Sequence, residues 1–441
     1  MTDFKKHIDQ NLPFLNESRL LIAISGGIDS VVLTYLCHQF NLDIALAHCN
    51  FNLRGNESDT DEDFVLQLAE NLDLEIFIES FDTQRYSETN KLSTQMAARE
   101  LRYNWFEDLA EQLKFDYILT AHHADDNLET FLINLSRGTG LDGLKGIPEI
   151  NNNIVRPLLP FSRDAIEIYA KEHRLKWRDD SSNASTKYLR NKLRHDVIPV
   201  LKEINPQLLQ NFQNTLKNLN DTSDIVEERV ESVLNSAIET IDKHQVVFKI
   251  SEFKKLNNPK AYLFEIFKAY GFTEWHDILN LLDAQSGKQV LSATHRLIKD
   301  REHLLLSRID SKTERKVITV FEADRQTEMD LGLLFFDETD AILEKNNNTI
   351  YVDKALLTYP LTIRKWEDGD LFYPLGMTGK KKLSKYFKDE KLSLLDKEQV
   401  RLLCSGEDIV WIIGKRADNR FKINEQTEEI LKIELKFETT R

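Results

Sequence analysis

Four segments carry residues whose types and spacing could do chemistry. In the first, Ser25-Gly26-Gly27-Ile28-Asp29-Ser30, two glycines stand between hydroxyl side chains, with a carboxylate beside them. Glycines allow a tight turn and a close backbone approach to phosphate, and a following helix N-terminus adds N–H donors and a favourable dipole. Asp29 would repel phosphate unless a magnesium ion bridges the two. The loop holds no lysine, so it is not the GxxxxGK[ST] nucleotide loop. The second segment, His48-Cys49-Asn50-Phe51-Asn52-Leu53-Arg54-Gly55, offers His48, Asn50 and Arg54 to a ligand. The third, Ala97 to Tyr103, carries Arg99 and Arg102, three apart and so on one helix face. The fourth, Thr120 to Thr130, contains His122, Asp126 and Glu129, spaced by four and three. These three share a face if a helix starts early, and two carboxylates with a histidine can hold a cation, either magnesium or an ammonium group. No second ligand cluster supports transition-metal binding. Each segment also has a plainer reading: a Gly-rich turn, a polar loop, solvated helix arginines, or acids favoured by a helix N-terminus.

The elements that must position these residues follow from periodicity. Apolar runs at residues 20–24, 44–48, 75–78, 117–120 and 154–155 read as strands. Between them, residues 30–40, 58–72, 94–113 and 126–136 read as helices, with Ser58 and Asp61 spaced as a capping box and Gly138 as a C-terminal cap. Strand–helix alternation predicts a mostly parallel, doubly wound sheet, whose ligands bind beyond the carboxyl ends of the strands. The first, second and fourth segments lie at those ends. From Leu209, the spacing of Phe212, Leu216, Leu219, Val226, Val230 and Val233 predicts a long amphipathic connector helix. Residues 247–310 mix short strands with helices, residues 316–352 are strand-rich, and a last compact unit ends in Val410-Trp411-Ile412-Ile413-Gly414. The fold class is therefore α/β. An N-terminal doubly wound domain (1–205) precedes a helical linker and middle domain (206–350) and a small α+β C-terminal domain (351–441).

Composition narrows the function classes. A chain of 441 residues is too long for one core, and 41% apolar with 30% charged residues is an ordinary globular balance. No run reaches the roughly 18 apolar residues of a membrane span, and the polar first residues predict no secretory signal. Cys37, Cys49 and Cys404 are scattered and odd in number, which predicts no disulfide framework, no zinc knuckle and a cytoplasmic location. The net charge of −15 argues against nucleic acid unless basic residues cluster locally. Two clusters do: Lys187, Arg190, Lys192, Arg194 and His195, and Lys380, Lys381, Lys382, Lys385 and Lys388 with Tyr386 and Phe387 interleaved.

The loop SGGIDS after a first strand resembles the pyrophosphatase loop of the ATP-pyrophosphatase (PP-loop) superfamily. The order SGGIDS, HCNFNLRG, AARELRY, TAHHADDNLET, RGTGLDGL, Arg156-Pro157-Leu158-Leu159, Asp180-Ser181-Ser182-Asn183 and Arg190-Asn191-Lys192-Leu193-Arg194-His195 is similar to the tRNA(Ile)-lysidine synthetase family. The resemblance is specific over residues 20–200. It returns in Arg364-Lys365-Trp366, Gly369-Asp370, Pro374-Leu375-Gly376-Met377 and Lys380-Lys381-Lys382.

That resemblance implies an ATP-dependent ligase. The C2 oxygen of a wobble cytidine, in an isoleucine tRNA with a CAU anticodon, attacks the α-phosphate of ATP. The side-chain amine of free L-lysine then displaces AMP. On this reading Ser25, Gly26, Gly27, Ile28 and Ser30 hold the phosphates and Asp29 helps hold Mg2+. Arg102 takes the α-phosphate or the lysine carboxylate. Asp126 and Glu129 hold the amino groups of lysine beside His122. His48, Asn50 and Arg54 serve the substrate, and Arg190, Arg194, Lys380, Lys381 and Lys382 serve the tRNA. A homodimer is left open. The alternatives are a tRNA thiolase of the same superfamily, which needs reactive cysteines, a nucleotide-binding module without catalysis, and a small-molecule amide ligase.

Overall fold

The computed structural model describes residues 2–178, 189–242, 245–309, 317–342 and 346–437. The expected motif Asp180-Ser181-Ser182-Asn183 and Lys187 lie outside the described residues. The chain packs as two compact units, Met1–Glu227 and Glu228–Arg441.

The first unit runs α1 (Thr2–Asn11), β1 (Arg19–Ala23), α2 (Ile28–Gln39), β2 (Asp43–Asn50), α3 (Asn56–Leu72), β3 (Ile76–Ser80), α4 (Thr83–Asn90) and α5 (Thr94–Leu113). It continues with β4 (Tyr117–Leu119), α6 (Ala124–Arg137), α7 (Leu141–Leu144), β5 (Ile150–Asn151), β6 (Ile154–Val155) and α8 (Arg163–Glu172). After α9 (Leu189–Lys192), a π-helical turn (Leu193–Val197) leads into α10 (Ile198–Ile204), and the connector α11 (Leu208–Ala237) follows. The sheet order is β3-β2-β1-β4-β6-β5, with every pairing parallel except β5 on β6.

Alternation along each strand divides the core between two faces. Leu20, Ile22, Ile44, Leu46 and Leu119 join one buried cluster with residues of α1, α2, α3 and α8. Leu21, Ala45, Ala47 and Ile118 join another, against Phe106 and Ala110 of α5. Burying each of these leucines and isoleucines contributes about 1.5–3 kcal/mol, which makes the central strands the rigid base of the site. Strand order reverses between β1 and β4, and at such a switch point the loops beyond the two strands part to leave a crevice. The loop into α2 and the loop into α6 flank it.

Two local expectations are corrected. Ser58 does not cap a helix. α3 begins two residues earlier, after Gly55 at φ +52°, and Ser58 donates its backbone N–H to the Gly55 carbonyl inside the first turn. The helix holding the acids starts at Ala124 rather than Asp126, because the Asp126 carboxylate accepts the His123 backbone N–H at 3.1 Å and closes the first turn from within.

The second unit is rich in antiparallel strands. One five-stranded sheet spans residues 238–308 and packs helices Pro259–Phe267 and Trp275–Leu281 around Phe248, Phe253 and Phe267. Two further sheets share a core around Trp411, and in one of them strand Gly332–Thr339 pairs with strand Ile430–Lys436, about a hundred residues on. No helix among the described residues is long and apolar enough to cross a membrane.

Candidate active site

The loop between β1 and α2 is held by the hydroxyl of Ser30. Its Oγ accepts the Ser25 backbone N–H at 3.2 Å and donates to the Gly27 carbonyl at 2.9 Å, while Ser25 Oγ accepts the Gly27 N–H at 3.3 Å. Gly26 sits at φ +82°, a conformation L side chains rarely adopt, so glycine answers the backbone, while a Cβ there would make only ordinary contact with Phe64 at 3.4 Å. Gly27 caps α2, leaving the first-turn N–H groups facing the loop. This is a cradle for an anion.

Asp29, in that first turn, faces two partners from distant elements. Its Oδ2 accepts from Arg163 Nη1 at 2.5 Å, and its Oδ1 lies 3.8 Å from His123 Nε2. Among the described residues Oδ1, which is buried, has no hydrogen-bond partner. Burial raises the Asp29 pKa, opposed by His123 and Arg163.

On α6, Asp126 Oδ2 is 3.3 Å from the same His123 Nε2, and its Oδ1 accepts from Arg194 Nη2 at 3.0 Å. Burial pushes this carboxyl up, but His123, its backbone N–H and Arg194 outweigh burial and lower the pKa. Glu129, one turn on, is 1% exposed. Arg194 grips it with Nε at 2.6 Å and Nη2 at 3.0 Å, and Arg190 Nε adds a contact at 3.0 Å. Burial leaves the Glu129 pKa raised despite these cations.

Asp29, Asp126 and Glu129 are thus brought together, with His123 between the phosphate loop and the acid pair. His122 stands just before α6, with Nδ1 3.0 Å from Thr120 Oγ1. Burial, then the charges of Arg156 and Arg190, hold its pKa down to about 4. His48 is buried at the end of β2, with Nδ1 2.9 Å from the Ile24 carbonyl, where it steadies the strand entering the loop. Asn50 donates to Glu62 at 2.8 Å and Arg54 pairs with Asp61 at 3.0 Å. Arg102 is exposed, its guanidinium 5.1 Å from the centre of the Phe51 ring. Arg190 and Arg194, expected on RNA, lie on the acids. Lys380, Lys381 and Lys382 belong to the second unit, in and beside a two-stranded hairpin. Of these, Lys381 pairs with Asp389 at 2.8 Å and covers the Tyr386 ring, while Lys380 and Lys382 are exposed.

The sequence reading missed His123 and Arg163. The doubled histidine before the acids was the available signal for the first. For Arg163 the only local signal was a helix start after the cap Ser162.

Neutral His122 makes the fold acid-sensitive. The unfolded histidine takes a proton near pH 6.5 and the folded one near 4. Stability therefore falls as pH drops from about 6.5 towards 4, by up to about 3 kcal/mol. Denaturant melts of the protein and His122→Gln at pH 7, 5.5 and 4.5 check this: the variant should lose less stability, and equal losses would remove His122 as the cause.

Comparison with known proteins places these residues in context. A family model described as a PP-loop domain matches residues 1–201, one described as the TilS substrate binding domain matches 241–309, and one described as the TilS substrate C-terminal domain matches 361–435. A tRNA(Ile)-lysidine synthase of Parabacteroides distasonis is 40% identical over 424 residues, covering 95% of each chain. One of Bacteroides thetaiotaomicron is 39% identical over 429 residues, covering 97% of each. One of Clostridium acetobutylicum is 29% identical over 463 residues, 99% of this chain and 100% of that one.

Proposed function

The chain belongs to the tRNA(Ile)-lysidine synthase family, and from that premise we propose that it uses ATP to join free L-lysine to C2 of the wobble cytidine of an isoleucine tRNA with a CAU anticodon. AMP and pyrophosphate leave. The base oxygen attacks the α-phosphorus, the bond to the β-phosphate breaks, and its electron pair departs with pyrophosphate. The lysine amine then forms the bond to C2 and AMP departs with the oxygen.

In this reading the Ser25–Ser30 loop and the N-terminus of α2 hold the phosphates. Among the described residues no group of three or more His, Cys, Asp or Glu side chains could hold a metal ion. The buried, unpartnered Oδ1 of Asp29 instead suits a magnesium ion that arrives with ATP, since magnesium is commonly held by one or two carboxylates and substrate phosphates. Such an ion would offset charge on the leaving pyrophosphate. Asp126 and Glu129 take the lysine amines. Glu129, whose pKa burial raises, is better placed to accept the ammonium proton than His122, whose pKa is held near 4.

The observation that carries the reading is the acid pair. Its oxygens already hold guanidinium nitrogens at 2.6–3.0 Å, one histidine away from a phosphate cradle. A cation site beside a phosphate site is what amine transfer onto an adenylated base requires. The thiolase alternative is disfavoured by the thiols: burial pushes Cys37 and Cys49 up to about 12 and Cys404 up to about 11, far from thiolate at neutral pH. The test is release of AMP and pyrophosphate with each combination of ATP, lysine and the isoleucine tRNA. AMP release should need all three, and turnover without lysine or without tRNA would overturn the proposal.

The exposed lysines give a second check. Each lysine–phosphate contact adds about one to the log–log slope of affinity against salt. Lys380→Ala with Lys382→Ala should lower the slope for tRNA by about two and leave ATP binding alone. Adding Lys381→Ala should chiefly lower stability, because its amine is committed to Asp389. A tRNA titration at several salt concentrations reads this, and an unchanged slope would make the run solvated surface.

A further inference from the structure

Three helix N-termini converge beside the phosphate loop: α2 brings Asp29 in its first turn, α6 is capped by His123, and α8 begins at Arg163. The side chains touch across them, with Arg163 Nη1 2.5 Å from Asp29 Oδ2 and His123 Nε2 3.8 Å from Asp29 Oδ1. Each N-terminus carries a partial positive charge. Asp29, Asp125 and Asp126 occupy part of that field, and the phosphate loop beside them is left for an anion.

Arg163 is held there with unusual firmness for a half-exposed arginine. Ser162 Oγ accepts the Ala165 N–H at 3.2 Å and starts α8. The Arg163 backbone N–H donates to Asp125 Oδ2 at 2.8 Å, and Lys202 Nζ pins the other oxygen of Asp125 at 2.6 Å. The guanidinium gives Nη1 to Asp29 and Nε to Glu167 at 3.1 Å. Among the described residues Nη2 has no hydrogen-bond partner. A guanidinium fixed on Asp29 with one nitrogen free at the mouth of a phosphate cradle can donate a charge-assisted hydrogen bond to a phosphoryl oxygen.

We propose that Arg163 binds the β,γ-phosphates of ATP and the departing pyrophosphate, sharing its fork between Asp29 and a phosphoryl oxygen. The proposal deepens the functional reading above and rests on it for the identity of the leaving group. As the α–β bridging bond breaks, its electron pair moves onto pyrophosphate, and a guanidinium there offsets the charge that develops. Asp29 keeps Arg163 in place before the phosphates arrive. Without Arg163, that carboxylate would lose the guanidinium it is hydrogen-bonded to as the anion arrives.

The experiment uses the full chain and inorganic pyrophosphate with magnesium as the probe. Binding is measured by calorimetry for the unchanged protein, Arg163→Ala, Arg163→Lys, Asp29→Asn and Asp29→Asn with Arg163→Ala. Arg163→Ala should weaken pyrophosphate binding roughly ten- to hundredfold, the range for a hydrogen bond to a charged group. Arg163→Lys, which keeps charge and the helix start, should fall between. The loss should persist in the Asp29→Asn background, because the contact is with phosphate. Unchanged binding in Arg163→Ala, or a loss that disappears once Asp29 is neutral, would overturn the proposal and leave Arg163 as a partner of Asp29 only. In steady state Arg163→Ala should raise KM for ATP and lower kcat, with KM for lysine unmoved; a shift in KM for lysine alone would also overturn it. If the unchanged protein binds pyrophosphate but forms no AMP with ATP, lysine and tRNA, the functional reading fails while the pyrophosphate contact stands.

Discussion

Asp29→Ala should abolish pyrophosphate release almost entirely and leave the fold intact. Asp29 stands in the first turn of α2, with Oδ2 on Arg163 and Oδ1 buried without a partner. An acid in that position opposes phosphate binding unless a cation joins the two. Losing one preorganised electrostatic contact at a reacting phosphate costs on the order of a hundred- to a thousandfold in rate. Losing a carboxylate that on the proposed reading bridges a metal to the phosphates should sit at the upper end of that range. The fold should tolerate the change because burial raises the Asp29 pKa, so its ionised form is disfavoured by folding rather than contributing to it. Pyrophosphate release over a magnesium titration, with a thermal melt alongside, checks both halves. Near-normal magnesium-dependent release from Asp29→Ala would remove the metal role. Asp29→Asn, which keeps shape without charge, should fail nearly as badly.

Glu129→Ala and Asp126→Ala should stall the reaction after its first step. The base becomes adenylated, pyrophosphate appears once per tRNA, and lysine transfer drops by on the order of a hundredfold or more. Glu129 is 1% exposed and gripped by Arg194 and Arg190, and Asp126 holds the second arm of Arg194. On the proposed reading a lysine ammonium takes over those oxygens. The guanidinium contacts therefore mark where the amine would sit and set a competition that lysine has to win. Glu129→Gln keeps the volume and one acceptor and leaves Arg194 partly satisfied, so it separates loss of charge from loss of packing. Single-turnover assays that follow pyrophosphate and lysine incorporation separately make the test. If both alanine variants fail to release pyrophosphate while lysine binding is untouched, the acids serve ATP or metal instead.

Much of the catalytic unit was legible before any coordinates, and for local reasons. Apolar runs marked β1, β2 and β4. The helix expected over residues 94–113 is α5, because Ser93 caps it through the Met96 N–H and Lys114 ends it in the left-handed conformation. The phosphate loop could be read from Ser25 to Ser30, since Gly26 at positive φ is a demand that chain chemistry states openly. The parallel order followed from alternation, and with it the end of the sheet where the candidate site residues meet.

Only the tertiary structure decided which charges meet. Arg163 reaches Asp29 across 134 positions and Arg194 reaches Glu129 across 65. Nothing in the local spacing announces either pair. His123 joins His122 beside Asp126 and also reaches Asp29, with α6 starting at Ala124. The pairing of Gly332–Thr339 with Ile430–Lys436 was likewise unreadable from strand patterns alone. The physical reason is common to the ion pairs and the strand pairing. Periodicity and turn chemistry act between neighbours in sequence and are written residue by residue. The strength of an ion pair, the pKa of a buried acid and the partner of a strand depend on distance and solvent exclusion, which exist only once the chain has closed on itself.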